Sequence, residues 1–293
     1  MGFMPELPEV TTIVRDLRRT VRGKVIAGVS VNTPKLVAPL SVAAFRRRVR
    51  GKVFRAFSRR GKFVLAYLGP RGGAPTDVLV WHMRMTGHPL YRDERHETTR
   101  DRRAFRDPRN QHVRFVFRFT DGTRLDYSDV RKFGTIRLVH SRALAEHPSL
   151  RILGPDALAH PWTATELCRV LRKHRKTVKQ ALVDQTIIAG IGNIYADEVL
   201  WEARLSPLLR TDALTPRECS RLVRSIRAVL RRSLGARGTS IDDFRDLRGR
   251  KGTYGSILRV YARAGQRCFR CGATIAKLRV GGRGTHLCPR CQR

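Results

Sequence analysis

The chain has 293 residues, with 60 Lys or Arg against 24 Asp or Glu and a formal net charge of +36. Its length exceeds one ordinary domain, so two are expected. No run approaches the roughly 20 apolar residues that span a bilayer, and the start lacks a basic region followed by an apolar core, so a cytoplasmic setting is expected. Only ten of the 60 cations are lysine. Arginine's planar donor fork matches phosphate, and so large an excess favours a polyanionic partner, with nucleic acid first.

Near the start stands Met4-Pro5-Glu6-Leu7-Pro8-Glu9, and Leu7, Val10, Val14, Leu17 and Val21 follow at alternating steps of three and four before Gly23. This pattern predicts a helix from about 7 to 21. Proline and glutamate suit any helix start. If the chain were cut after Met4, however, Pro5 would become a secondary amine able to attack a carbonyl carbon.

Short runs rich in β-branched and aromatic residues come next: 25–31, 53–58, 63–68, 78–81, 113–119, 124–127 and 135–139. They predict strands, with Thr120-Asp121-Gly122 closing a hairpin, and together they suggest a β-sandwich or barrel. The charged stretch 92–111 reads as a mobile loop.

Residues 148–162 contain Gly154-Pro155 and read as a linker, beyond which the periodicity is helical. Capping-box spacings at Thr163-x-x-Glu166 and Thr215-x-x-Glu218 predict helices near 164–174 and 216–234. Between them lie helices near 176–185 and 192–203, separated by Gly190-Ile191-Gly192-Asn193. That junction exposes amides suited to an anion.

Cys168 and Cys219 stand alone in expected helices, and a reducing compartment argues against disulfides. The spacing Cys268-x2-Cys271-x16-Cys288-x2-Cys291 predicts one structural Zn2+, since four thiolates close a tetrahedral shell. Between the two pairs lies the glycine-rich tip Gly281-Gly282-Arg283-Gly284.

Seven segments in order carry a resemblance. They are the opening Met4 to Val10; Arg60-Gly61-Lys62; His82-Met83-Arg84-Met85-Thr86-Gly87; Asp129 to Gly134; Leu153-Gly154-Pro155; Gly190 to Ala196; and the cysteine hairpin with Arg283-Gly284-Thr285. The chain resembles the formamidopyrimidine-DNA glycosylase and endonuclease VIII family over nearly its whole length.

The resemblance implies an α+β chain of two domains: an N-terminal β-sandwich with flanking helices (1–147), and, past the linker, a helix-two-turn-helix bundle with a lesion-capping loop (163–262) and a zinc-binding β-hairpin (263–293). It implies a bifunctional DNA glycosylase and lyase acting as a monomer on damaged double-stranded DNA in the nucleoid, without an organic cofactor. Pro5 would be the Schiff-base nucleophile, Glu6 the acid at the sugar ring oxygen, Glu9 the orienting group, Lys62 the aid to β-elimination and Arg283 the aid to δ-elimination. Met85, Arg131 and Phe133 would fill the gap left by the flipped nucleotide. His82, His112 and Asn193 would contact phosphate, with Lys176 and Lys179 as weaker contacts.

The capping stretch, Arg237 to Ser240 and on through Arg245 to Ser256, looks more like the purine-lesion branch, with oxidised pyrimidines as the alternative. Ala262 stands where glycine is expected and Thr11 where glutamate is. A silent damaged-DNA binder, should Met1 to Phe3 be retained, and a zinc-ribbon RNA binder are the readings from other classes.

Overall fold

The computed structural model describes residues 4–240 and 244–293, so the expectations for Met1 to Phe3 and for part of the capping stretch lie outside the described residues. Its contacts divide the chain into two units. One is Met1–Arg151 with Ala236–Thr253, the other Ile152–Gly235 with Tyr254–Arg293.

In the first unit, helix α1 (Leu7–Thr20) buries Leu7, Val10, Ile13, Val14 and Leu17 on one face and packs on strands β2 (Val53–Arg60) and β3 (Phe63–Gly69). These pair with β4 (Asp77–His82) and β8 (Thr135–His140) in the order β2-β3-β4-β8. The facing sheet runs β1 (Ile26–Val31), β6 (Val113–Phe119), β7 (Arg124–Ser128) and β5 (His88–Arg92). Both sheets are antiparallel.

Aromatic pairs join the sheets. Phe54 meets Phe117 edge-on at 5.3 Å between ring centres, and Trp81 meets Tyr127 at 5.3 Å. These buried pairs supply apolar area and edge-to-face attraction at once. The expected sandwich is therefore present. Helix α2 (Val42–Val49) and strand β5 are additions that the sequence pattern did not predict.

The stretch read as a mobile loop is largely structured. It holds helix α3 (Thr99–Phe105), capped by Thr98, and a 3-10 turn over Pro108–Gln111. Phe105 is buried beneath the Arg92 guanidinium, 4.0 Å from its ring centre, so one aromatic anchors an otherwise polar excursion.

Past the short helix α4 (Pro148–Arg151), the second unit gathers α5 (Ala164–Arg172), α6 (Val178–Val183), α7 (Asn193–Ala203), α8 (Pro216–Gly235) and the hairpin β9 (Ala276–Val280) with β10 (Arg283–Leu287). A side chain at Gly154 would sit 2.5 Å from the carbonyl oxygens of Thr186 and Ile187, so the backbones touch there and only glycine fits. Ala262 has φ 59°, the left-handed region, which explains why glycine is the expected residue at that point.

One expectation is corrected. Cys168 on α5 and Cys219 on α8 are joined as a disulfide, their Cα atoms 5.6 Å apart; sequence position said nothing of helices that bring them face to face. By its contacts the stretch Ala236–Thr253 groups with the sandwich unit.

Candidate functional site

Pro5 is buried and stands one residue before Glu6, the cap of α1. Glu6 and Glu9 are buried too. The Glu6 amide donates to Glu9 Oε2 at 2.9 Å, and the Thr239 amide donates to Glu9 Oε1 at 2.7 Å. One carboxylate thus joins the helix start to the stretch beginning at Ala236. Gly238, at φ 87°, lets this approach occur, since a Cβ there would lie 2.8 Å from Glu9 Oε1. The helix start also offers a positive dipole end to these acids.

The Arg60 to Lys62 motif forms the turn from β2 to β3, with Gly61 at φ 54° and Lys62 buried. Lys62 precedes Phe63, which pairs with His82 at the end of β4 and packs its ring edge-on against it at 4.5 Å. Burial, with the charges of Arg84 and Lys62 beside it, pushes His82 down to about 3, so its ring is neutral at neutral pH. Its Nδ1 accepts from the Arg84 amide at 3.0 Å.

Met85, Arg131 and Phe133 come together at one end of the sandwich. Arg131 Nη1 lies 3.0 Å from Met85 Sδ and its guanidinium covers the Phe133 ring at 4.6 Å. Phe133 is 48% exposed, unusual for so large an apolar group. Asp129 organises this tip: buried, it accepts from the Gly134 amide at 2.8 Å and from the Thr86 hydroxyl, which in turn accepts from the Arg131 amide at 3.0 Å. The Asp129 amide donates to the His112 carbonyl at 3.0 Å, bringing His112 beside the same tip. Gly87 and Gly134 each lie so close to the Tyr127 hydroxyl that a Cβ would stand 1.8 Å from it.

Within the second unit, Asn193 opens α7 after Gly192, and its Nδ2 donates to the Gly284 carbonyl at 2.9 Å. Asn193 thereby lies beside the hairpin tip, where Gly281 (φ 54°) and Gly282 (φ 76°) make the turn and Arg283 is exposed. Asn193 Oδ1 is buried with no hydrogen-bond partner among the described residues. Lys176 is half-buried and paired with Asp184 at 2.7 Å.

Lys179 does not reach a surface, which corrects its reading as a DNA contact. It is fully buried, donating to the Asn193 carbonyl at 2.9 Å and to Asp197, whose other oxygen accepts from the His286 amide at 2.9 Å. A buried ammonium needs such a counter-charge. Glu198 accepts from the amides of Arg259, Val260 and Tyr261; burial lifts its carboxyl above the usual range despite those donors. Asp197 and Glu198 escaped the sequence reading. The available signal was an Asp-Glu pair inside the otherwise apolar Asn193-Ile194-Tyr195-Ala196-Asp197-Glu198-Val199-Leu200.

The four paired cysteines place their Sγ atoms within 4.8 Å of one another, a spacing that suits thiolates about 2.3 Å from a shared central ion. Trp201 Nε1 and the Arg270 amide donate to Cys268 Sγ at 3.4 and 3.5 Å. Burial raises the Cys268 thiol, yet these donors outweigh it and bring it down to about 6. Trp201, Val260 and Ile275 close the apolar shell.

Three family models match in succession. They are the formamidopyrimidine-DNA glycosylase N-terminal domain over residues 4–136, the helix-two-turn-helix domain of the same proteins over 153–245, and the zinc finger found in these glycosylases and in an isoleucyl-tRNA synthetase family over 265–293. The cysteine cluster is accordingly the ligand set of one structural zinc ion.

The formamidopyrimidine-DNA glycosylase of Pelotomaculum thermopropionicum is 39% identical over 99% of both chains. A Lactococcus lactis Fpg mutant solved with Fapy-dG DNA superimposes with a TM-score of 0.85 at 33% identity, covering 99% of this chain and 100% of that one. MutM in complex with carbocyclic 8-oxo-G DNA gives 0.84 at 32%, with the same coverage. Matched from the first helix to the zinc hairpin, the chain belongs to the formamidopyrimidine-DNA glycosylase family.

Proposed function

We propose that the protein is a bifunctional DNA glycosylase and abasic-site lyase of base excision repair, removing 8-oxoguanine and formamidopyrimidines from double-stranded DNA through Pro5. The observation that carries the reading is the start of α1, where Pro5 precedes the buried Glu6 and Glu9, and Glu9 is held by two amides. Relatives bound to Fapy-dG and 8-oxo-G duplexes support the purine branch.

With the chain beginning at Pro5, the free amine attacks C1′ of a flipped nucleotide and the bond to the base breaks. Glu6 protonates the ring oxygen, the sugar opens, and the nitrogen lone pair completes the iminium. Glu9 orients the amine. Loss of a C2′ proton then expels the 3′ phosphate with help from Lys62, and a second elimination, aided by Arg283, expels the 5′ phosphate. Met85, Arg131 and Phe133 fill the vacated space, while His82, His112, Asn193 and Lys176 hold the backbone. The stretch after α8 covers the extruded base. The protein acts as a monomer on nucleoid DNA in the cytoplasm.

Borohydride trapping on an 8-oxoguanine duplex tests the chemistry: the Pro5-terminal protein gives a covalent adduct, and its absence rejects the reading. Intact mass of the native protein tests the terminus, and a chain beginning at Gly2 would reject catalysis by Pro5.

A further inference from the structure

The stretch 244–253 does not merely follow α8. It is gripped by the excursion that carries α3. Asp101, with none of its surface exposed, accepts from Arg248 Nη1 at 3.1 Å and from Arg250 Nη2. Asp107 accepts from both Arg245 Nε at 3.1 Å and Arg245 Nη2 at 2.7 Å, and Arg245 is 1% exposed. Asn110 Nδ2 reaches the Gly249 carbonyl at 3.4 Å, and the Tyr91 amide of β5 donates to the Leu247 carbonyl at 2.8 Å.

Gly249, at φ 72°, lies so near Asn110 that a Cβ would stand 2.7 Å from Nδ2. Phe244 and Leu247 are buried under these pairs. At its other end the same stretch of chain is tied by the Thr239 amide to Glu9 Oε1, and by Arg237 to Asp16 and Asp246. Only 24 carboxylates stand among 60 cations in this protein, and two of them are spent in one short excursion on arginines of one distant stretch.

We propose that α3 and the turn after it form a clasp for residues 244–253, and that Asp101 and Asp107 are positioning residues for base excision. Charge-assisted, partly buried Arg–Asp pairs are strong and directional. They hold a stretch with few other apolar anchors, so loosening them opens that stretch locally and leaves the sandwich core folded. The effect passes to the reaction through the cover that this stretch gives the extruded base. Removal of a base needs the stretch in place, whereas cleavage at a site already lacking its base does not. This functional half rests on the glycosylase reading above.

The test is the double variant Asp101→Asn with Asp107→Asn, which keeps size, deletes the charges and turns one accepting oxygen of each into a donor. Limited trypsin digestion reads the clasp without reference to activity: cleavage after Arg245, Arg248, Arg250 or Lys251 should quicken at least ten-fold, and unchanged cleavage overturns the proposal. Excision of 8-oxoguanine should fall about ten-fold or more, while cleavage of a pre-formed abasic site in the same duplex stays within about two-fold. Equal loss of both activities, or of neither, overturns the positioning role. Asp101→Glu with Asp107→Glu should recover much of the excision. If the double variant fails to fold, Asp101→Asn alone, which spares the Arg245–Asp107 pair, carries the same comparison. Wild-type protein that traps on no lesion would reject the glycosylase reading instead, and the trypsin result would still decide the clasp.

Discussion

Glu6 and Glu9 lie three residues apart on one helix face, yet they are held differently. Glu9 has both oxygens engaged by amides, which suits an orienting group, whereas Glu6 caps the helix beside Pro5. Glu6→Gln should therefore lower base excision about 100-fold or more, the scale of lost acid catalysis, measured in single turnover on an 8-oxoguanine duplex; an unchanged rate would contradict its role.

His82 gives a pH signature. Its folded value of about 3 lies below the ordinary 6.5, so the unfolded chain binds the extra proton between these limits. The stability its neutral ring contributes is fully present above about 6.5 and falls as the pH drops toward 3, by at most about 1.4 kcal/mol per unit. Urea titrations from neutral to acid should show a shallower decline for His82→Gln. Ala262→Gly, relieving a left-handed alanine, should raise stability by up to about 1 kcal/mol in the same assay. The motif residues of the site were legible because backbone turns force glycines beside them. Lys179 was misread because a lysine in a basic chain looks solvated until its buried carboxylate is seen.

At the scale of elements, the periodic helices and the alternating strands were readable, since burial of one face imposes the pattern. Strand β5 and helix α3 were not. The first contains a proline and sits at a sheet edge, and the second is mostly charged and owes its order to Phe105 and to arginines far away in sequence. The disulfide was illegible for a similar reason: 51 residues separate its cysteines, and only the packing of α5 on α8 joins them. A cross-link closing a loop of that length contributes about 2–4 kcal/mol. Reduction should lower the melting temperature under conditions that leave zinc bound, and two free thiols fewer than the sequence allows should be counted in the denatured, oxidised protein. The zinc hairpin answers differently. A thiol-reactive chelator should release one zinc per chain and abolish DNA binding, and affinity surviving that release would contradict its role.

The whole molecule carries its charge mainly as arginine, and such a surface binds duplex DNA with release of counterions. Affinity for a damaged duplex should fall steeply with salt, and Lys176→Ala should reduce the slope of that dependence by about one. Sequence composition announced this much. It could not announce that the chain leaves the sandwich unit after Arg151, returns to it from Ala236 to Thr253, and leaves again. The polypeptide therefore passes between the units three times, and the familiar idea of a separable N-terminal module fails for this protein. A fragment ending at Arg151 would lack part of its own unit, with Asp101 and Asp107 stripped of their arginines and Glu9 of the Thr239 amide. Conversely, one nick within 148–162 would leave the two units still joined through the other passages, so loss of the linker alone should not set them free.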